Sequence, residues 1–145
     1  MIVVDLNLLL YAVNRDSKQN RAAKAWLEDA LSGDETVGFA WVVLLGFIRL
    51  TTNRQVFSHP LAIEDAVAVV DSWLDQPNAH VVSAGEQHWS ILRELLSSAG
   101  AAANLTTDAH LATLTIEHGA ELCSTDGDFA RFRQLRWRNP LARAR

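Results

Sequence analysis

Apolar and polar positions fall along the chain in alternating blocks. Ile2-Val3-Val4 is a short apolar run ending in Asp5, the pattern of a strand buried on both faces. Asn7 to Val13 predicts a short apolar helix and Asn14 to Ser17 a polar loop. From Lys18 the sequence puts Ala22, Ala25, Trp26, Ala30 and Leu31 near one face of an amphipathic helix, with Gly33 as its stop. Thr36 to Phe39 reads as a short strand. WVVLLGFIRLTTN, from Trp41, is apolar on most sides, and its length and polar ending favour a buried helix over a strand. Gly46 in its middle costs about 1 kcal/mol relative to alanine, which points to close packing or to a position where another side chain has been lost.

Further on, Ile63 to Leu74 predicts a helix with Ile63, Ala66, Val67, Val70, Trp73 and Leu74 inward, closed by Pro77. Val81-Val82 is a strand candidate. Glu86 to Ser98 is a helix with Trp89, Leu92, Leu95 and Leu96 on one side, and Gly100 to Ala103 a connector of small residues. Asp108, preceded by Thr106 and Thr107, opens a helix that runs to Gly119, a residue suited to the left-handed stop. Glu121 to Ser124 follows as a buried strand, and Leu135 to Trp137 as a final edge strand. Strands alternating with helices predict one domain over residues 1–145: a three-layer α/β/α sandwich on a mostly parallel sheet, with right-handed crossovers and more helix than strand.

Composition agrees with a single packed domain: 145 residues, 49% of them hydrophobic, are enough for a sizeable core. Cys123, the only cysteine, excludes an internal disulfide and a cysteine-rich zinc site and is compatible with a reducing cytoplasm. The opening segment carries Asp5 and Asn7 inside its apolar run and lacks the basic start of a signal peptide, and no window is apolar enough to span a membrane. The net charge of −4 is uneven, because the last 15 residues hold Arg131, Arg133, Arg136, Arg138, Arg143 and Arg145 and no acid. An acidic body with an arginine-rich end suits a metal-centred enzyme acting on a polyanion, and equally a solvated tail or a docking segment.

The chemistry rests on where the acids fall. Asp5 ends one strand, Asp126 and Asp128 follow another, and Asp108 stands at a helix start, which in a parallel α/β protein brings them toward the carboxyl ends of the strands. Hard cations such as Mg²⁺ and Mn²⁺ take oxygen ligands, and two to four carboxylates suffice when a phosphate completes the shell. Asn7 and Ser124 are placed to hold those carboxylates. Each acid taken alone also fits a helix cap or a turn. His59, His80, His88, His110 and His118 form no metal-type pair, and the five tryptophans are mostly core by helical phase, with Trp137 a base-stacking candidate.

The segments IVVDLNLLLYAVN, WVVLLGFIRLTTN, TDAHLATLTIEHGAEL, STDGDFARF and LRWRNPL together resemble the PIN-domain ribonuclease toxins of the VapC type, from VapBC toxin–antitoxin modules, and especially an actinobacterial subgroup. The resemblance spans essentially the whole chain. It implies a PIN fold, Mg²⁺- or Mn²⁺-dependent endonucleolytic cleavage of RNA in the cytoplasm, inhibition by a VapB-type antitoxin, and a homodimer. It makes Asp5, Asp108 and Asp126 the catalytic, metal-binding acids, with Asp128 auxiliary. Ser124 and Asn7 match its small polar positions and Arg49 an arginine on the middle helix, while Arg131, Arg133 and Arg136 are candidate RNA contacts. The family commonly places a glutamate near Gly46, and LLGFIR has none. That departure leaves a second reading open, a catalytically weakened module that binds RNA or antitoxin without turnover.

Overall fold

The computed structural model describes residues 1–100 and 103–142. Ala101 and Ala102 of the connector, and Arg143 and Arg145 of the tail, lie outside the described residues. Among the described residues five strands form one wholly parallel sheet in the order β3-β2-β1-β4-β5. They are β1 (Ile2–Val4), β2 (Val37–Ala40), β3 (Ala79–Val82), β4 (Glu121–Cys123) and β5 (Trp137–Arg138). The helices are α1 (Leu6–Val13), α2 (Asn20–Ser32), α3 (Trp41–Thr51), α4 (Ile63–Leu74), α5 (His88–Ser98) and α6 (Thr106–Glu117).

This order follows from the connections. From β1 the chain steps to β2 and then to β3 in one direction, and the passage from β3 to β4 reverses it. Right-handed crossovers therefore put α1 to α4 on one face and α5 and α6 on the other. The packing agrees: α1 touches α2 and α3, α3 touches α4, and α5 lies on α6. Covered on both sides, β1 and β2 are buried at every residue, whereas edge strand β3 exposes His80 and Val81. The reversal makes the gap between β1 and β4 the topological switch point, where such sheets bind ligands.

Several expected boundaries and faces shift. Leu135, read as the start of an edge strand, is a core residue, and β5 begins only at Trp137. The buried stripe of α2 is Ala23, Leu27 and Leu31, with Ala22 and Ala25 exposed, because the leucines choose the face and alanine is tolerated on either side. On α4 the stripe Ala66, Val70 and Trp73 turns inward, which leaves Ile63 and Val67 a fraction of a turn away and exposed at 51% and 42%. Trp41 and Trp89 are exposed at 53% and 65%, so helical phase misplaced both; Trp73 alone among the tryptophans is fully core, packed against Phe39 and Phe47. Cys123 is buried, as its neighbours suggested. Gly119 takes a φ of +59° just past α6, the left-handed stop read from the sequence.

Candidate active site

The carboxyl ends of β1 and β4 are pinned side by side, the amide of Asp5 donating to the Cys123 carbonyl at 3.0 Å. Asp5 leaves β1 in extended conformation and caps α1, its Oδ1 accepting from the Leu6 amide at 2.7 Å. Its Oδ2 accepts from the Ser124 hydroxyl at 2.6 Å. Ser124 is fully buried, and its Oγ also accepts from the Asp126 amide at 3.0 Å, so one hydroxyl joins the two strand ends. Asp126 in turn caps the 3-10 helix Gly127–Arg131 by accepting from the Asp128 amide at 2.9 Å. The cap and turn readings of Asp5 and Asp126 are therefore true of single oxygens, and each carboxylate keeps lone pairs for another partner.

Asp108 does something different. It is the third residue of α6, whose first turn follows Leu105 with no side-chain cap, so its carboxyl is not a helix cap. A negative charge there is favoured by the helix dipole, yet its pKa is pushed up to about 6, by burial first and then by Asp5, Asp126 and Asp128. Burial likewise raises Asp5, against the bonds from Ser124 and Leu6, and Asp126 adds to the rise. Four acids from three separate parts of the chain thus share one electrostatic neighbourhood, three of them partly buried and Asp128 exposed.

The donor set suits a hard divalent cation: all four side chains offer oxygen, and they repel one another without a counter-charge. On the first turn of α1, Asn7 buries an amide oxygen that finds no hydrogen-bond partner among the described residues. Among the described residues no three acid, histidine or cysteine side chains stand close enough together to hold a metal ion as they lie.

The candidate RNA contacts divide. Arg131 and Arg133 are exposed just past Asp128 and, with Ser98, Glu94 and Gln134, line a groove of about 640 Å³. Arg49 is exposed on the last turn of α3. Arg136 instead donates to the Gly119 carbonyl at 2.8 Å, at the end of α6 opposite Asp108, which sets it apart from the acids. Trp137 is half-buried on β5.

The chain matches the PIN domain over residues 2–135. It is 47% identical to Ribonuclease VapC37 of Mycobacterium tuberculosis, covering 98% of this chain and 99% of that one. The chain belongs to the PIN-domain family, in its VapC group. Ribonuclease VapC33 of the same species is 45% identical, over 97% of this PIN domain and 99% of the relative. Among solved structures, VapBC2 from Rickettsia felis, bound to a DNA fragment from its promoter, shares the fold with a TM-score of 0.71 at 20% identity, covering 96% of this chain and 98% of that one.

Two features of this PIN domain escaped the sequence reading. His88 and His110, read as forming no metal-type pair, and Glu117, which drew no reading, form a chain between α5 and α6. Glu117 accepts from His88 at 2.7 Å and from the Gly85 amide, and His88 shares a 2.8 Å hydrogen bond with His110. The spacing of seven between His110 and Glu117 along α6, facing His88 at the start of α5, is the signal that was available. The second is that Leu6 is what Gly46 packs against: close packing was one of the two readings of the glycine, and nothing in the sequence names its partner.

Proposed function

We propose that this VapC-group PIN domain is the toxin of a type II toxin–antitoxin pair: an endoribonuclease that hydrolyses RNA phosphodiester bonds with Mg²⁺, for which Mn²⁺ substitutes, in the cytoplasm. One observation carries the reading. Asp108 is pushed to about 6 by burial and by three neighbouring carboxylates, an arrangement that is relieved when a divalent cation enters. The names of the Mycobacterium tuberculosis relatives support turnover over a purely binding role.

In this reading Asp5, Asp108 and Asp126 hold the ion and Asp128 assists from the rim. When bound, the ion supplies the charge that lowers the pKa of a water and stabilises a phosphodiester under in-line attack. Ser124 fixes the Asp5 carboxylate and the Asp126 amide through one oxygen, so neither strand end swings away. Asn7 offers its free amide oxygen to a water of the shell. Arg131, Arg133 and Arg49 contact phosphates, a contribution that weakens with salt. A VapB-type antitoxin is the inhibiting partner in this reading, which the likeness to VapBC2 from Rickettsia felis supports. A homodimer and the antitoxin between them cover apolar side chains exposed on α3 and α4, namely Trp41, Leu45, Ile63 and Val67.

Expression without antitoxin tests the proposal. The unaltered chain arrests growth, and co-expressed antitoxin or Asp5→Asn relieves the arrest. If both chains are equally harmless and neither cuts RNA with Mg²⁺ or Mn²⁺, the proposal fails.

A further inference from the structure

Past the last acid the chain buries every third residue. Phe129, Phe132 and Leu135 are all core, the three-residue period of the 3-10 helix Gly127–Arg131 carried on into the turn that follows it. Ala130, Arg131, Arg133 and Gln134 are thereby turned outward. Facing them, α5 sinks Leu95 into the core and brings Glu94 and Ser98 to the same groove of about 640 Å³, a size ordinary for a small-ligand site. The 3-10 helix is capped by Asp126 and ends at Arg131, which at the usual rise lies about 10 Å further along. The groove therefore opens beside the acids, within reach of an RNA strand that passes them.

The groove mixes its charges. Among the described residues neither Arg131 nor Arg133 stands in an ion pair, and Glu94 hydrogen-bonds only to Gln134, whose Nε2 donates to Glu94 Oε1 at 3.3 Å. A track for phosphate alone gains nothing from a carboxylate, which repels the strand. A carboxylate does serve where a base edge presents N–H donors.

We infer that this groove is a base-reading subsite that takes one unpaired guanine near the cleaved bond, with Arg131 and Arg133 on the strand's phosphates and Glu94, steadied by Gln134, on the base. The inference rests on the RNA-cleaving reading above and adds what that reading leaves open, the base that is read. The Watson–Crick edge of guanine sets two donors, N1–H and N2–H, side by side, and a carboxylate accepts both. Gln134 has a second amide hydrogen left for the guanine O6. Adenine and cytosine offer one amino group beside an acceptor, which leaves a carboxylate oxygen facing a lone pair. Leu95 and Ala99 give the ring an apolar floor.

Binding of short single-stranded RNAs in EDTA tests this apart from cleavage. Fluorescein-labelled oligouridines carrying one central guanine, adenine or cytosine are titrated with the full chain and followed by anisotropy. The guanine-bearing strand should bind about tenfold tighter than the others, the discrimination of one bidentate base contact. Glu94→Gln, an exposed change that keeps the shape and removes one acceptor, should abolish most of that gap. No binding, binding blind to the base, or a guanine preference that Glu94→Gln leaves intact overturns the inference and leaves the nuclease reading to its own cleavage assay. Guanine-selective binding by a chain that cuts no RNA with Mg²⁺ or Mn²⁺ would defeat the nuclease reading and keep the guanine subsite.

Discussion

The hydroxyl of Ser124 donates to Asp5 at 2.6 Å and accepts from the Asp126 amide at 3.0 Å, in a site where Ser124 has no exposure to solvent. Two acids 121 residues apart in sequence are therefore positioned by a single oxygen. Ser124→Ala leaves one Asp5 oxygen without its donor and frees the Asp126 amide. It should lower Mn²⁺ affinity by about 10–100-fold, the usual cost of losing a group that orients a metal ligand. Calorimetric titration checks this; unchanged affinity would show that the bridge is not needed.

Asp108 makes the fold sensitive to pH, and the sign is definite. Its carboxyl sits at about 6 against an ordinary 3.8, so the folded chain holds this proton more tightly than the unfolded one. Ionising Asp108 costs stability in full above about pH 6, and the cost disappears as pH falls below the unfolded value. In EDTA, Asp108→Asn should melt a few degrees above the unaltered chain at pH 8, with the gap shrinking between about pH 6 and 4. Saturating Mn²⁺ should favour the unaltered chain instead. Melting curves across pH decide, and a variant that melts lower at pH 8 in EDTA would show that the charge is not a burden.

The arginines should separate by where they are tied. Arg131→Ala with Arg133→Ala should weaken RNA binding and flatten its salt dependence, by about 0.7 in log–log slope for each single-strand phosphate left unneutralised. Arg136→Ala removes the 2.8 Å bond to the Gly119 carbonyl. It should cost about 1 kcal/mol of stability and leave the slope unchanged. Filter binding at several salt concentrations, beside urea unfolding, distinguishes the two roles.

Glu117 holds α5 to α6 through His88 and the Gly85 amide, and its side chain is only 8% exposed. Glu117→Ala strands these donors in a nearly buried place and should destabilise the chain by about 1–3 kcal/mol. Mn²⁺ affinity should stay within about twofold, since this network lies on the face of α6 turned toward α5. A large loss of Mn²⁺ affinity would instead tie the histidine chain to the acids.

Much of this arrangement was legible in the chain because two kinds of signal agree. Apolar residues at Ile2–Val4 and at Leu122 and Cys123 mark buried strands, and acids that follow within three residues fall at the carboxyl edge of a parallel sheet. The run from Trp41 to Thr51 read correctly as a helix, and the odd glycine within it correctly signalled close packing. The faces were harder. Alanine carries little preference, so the expected face of α2 took in the exposed Ala22 and Ala25 beside Trp26, Ala30 and Leu31, which do meet the core, and an apolar surplus on α3, α4 and α5 hid which residues stay in water, Trp41, Ile63 and Trp89 among them. The partner of Gly46 and the bonds of Arg136 depend on how α1 lies on α3 and how β5 meets α6, neither of which periodicity encodes.

The most direct test of the central claim is cleavage of RNA by the purified chain under controlled metal. The account predicts cutting with Mg²⁺ or Mn²⁺, none in EDTA, and a loss of at least about 100-fold in rate for Asp108→Asn. Undiminished cutting in EDTA, or by Asp108→Asn, would contradict it.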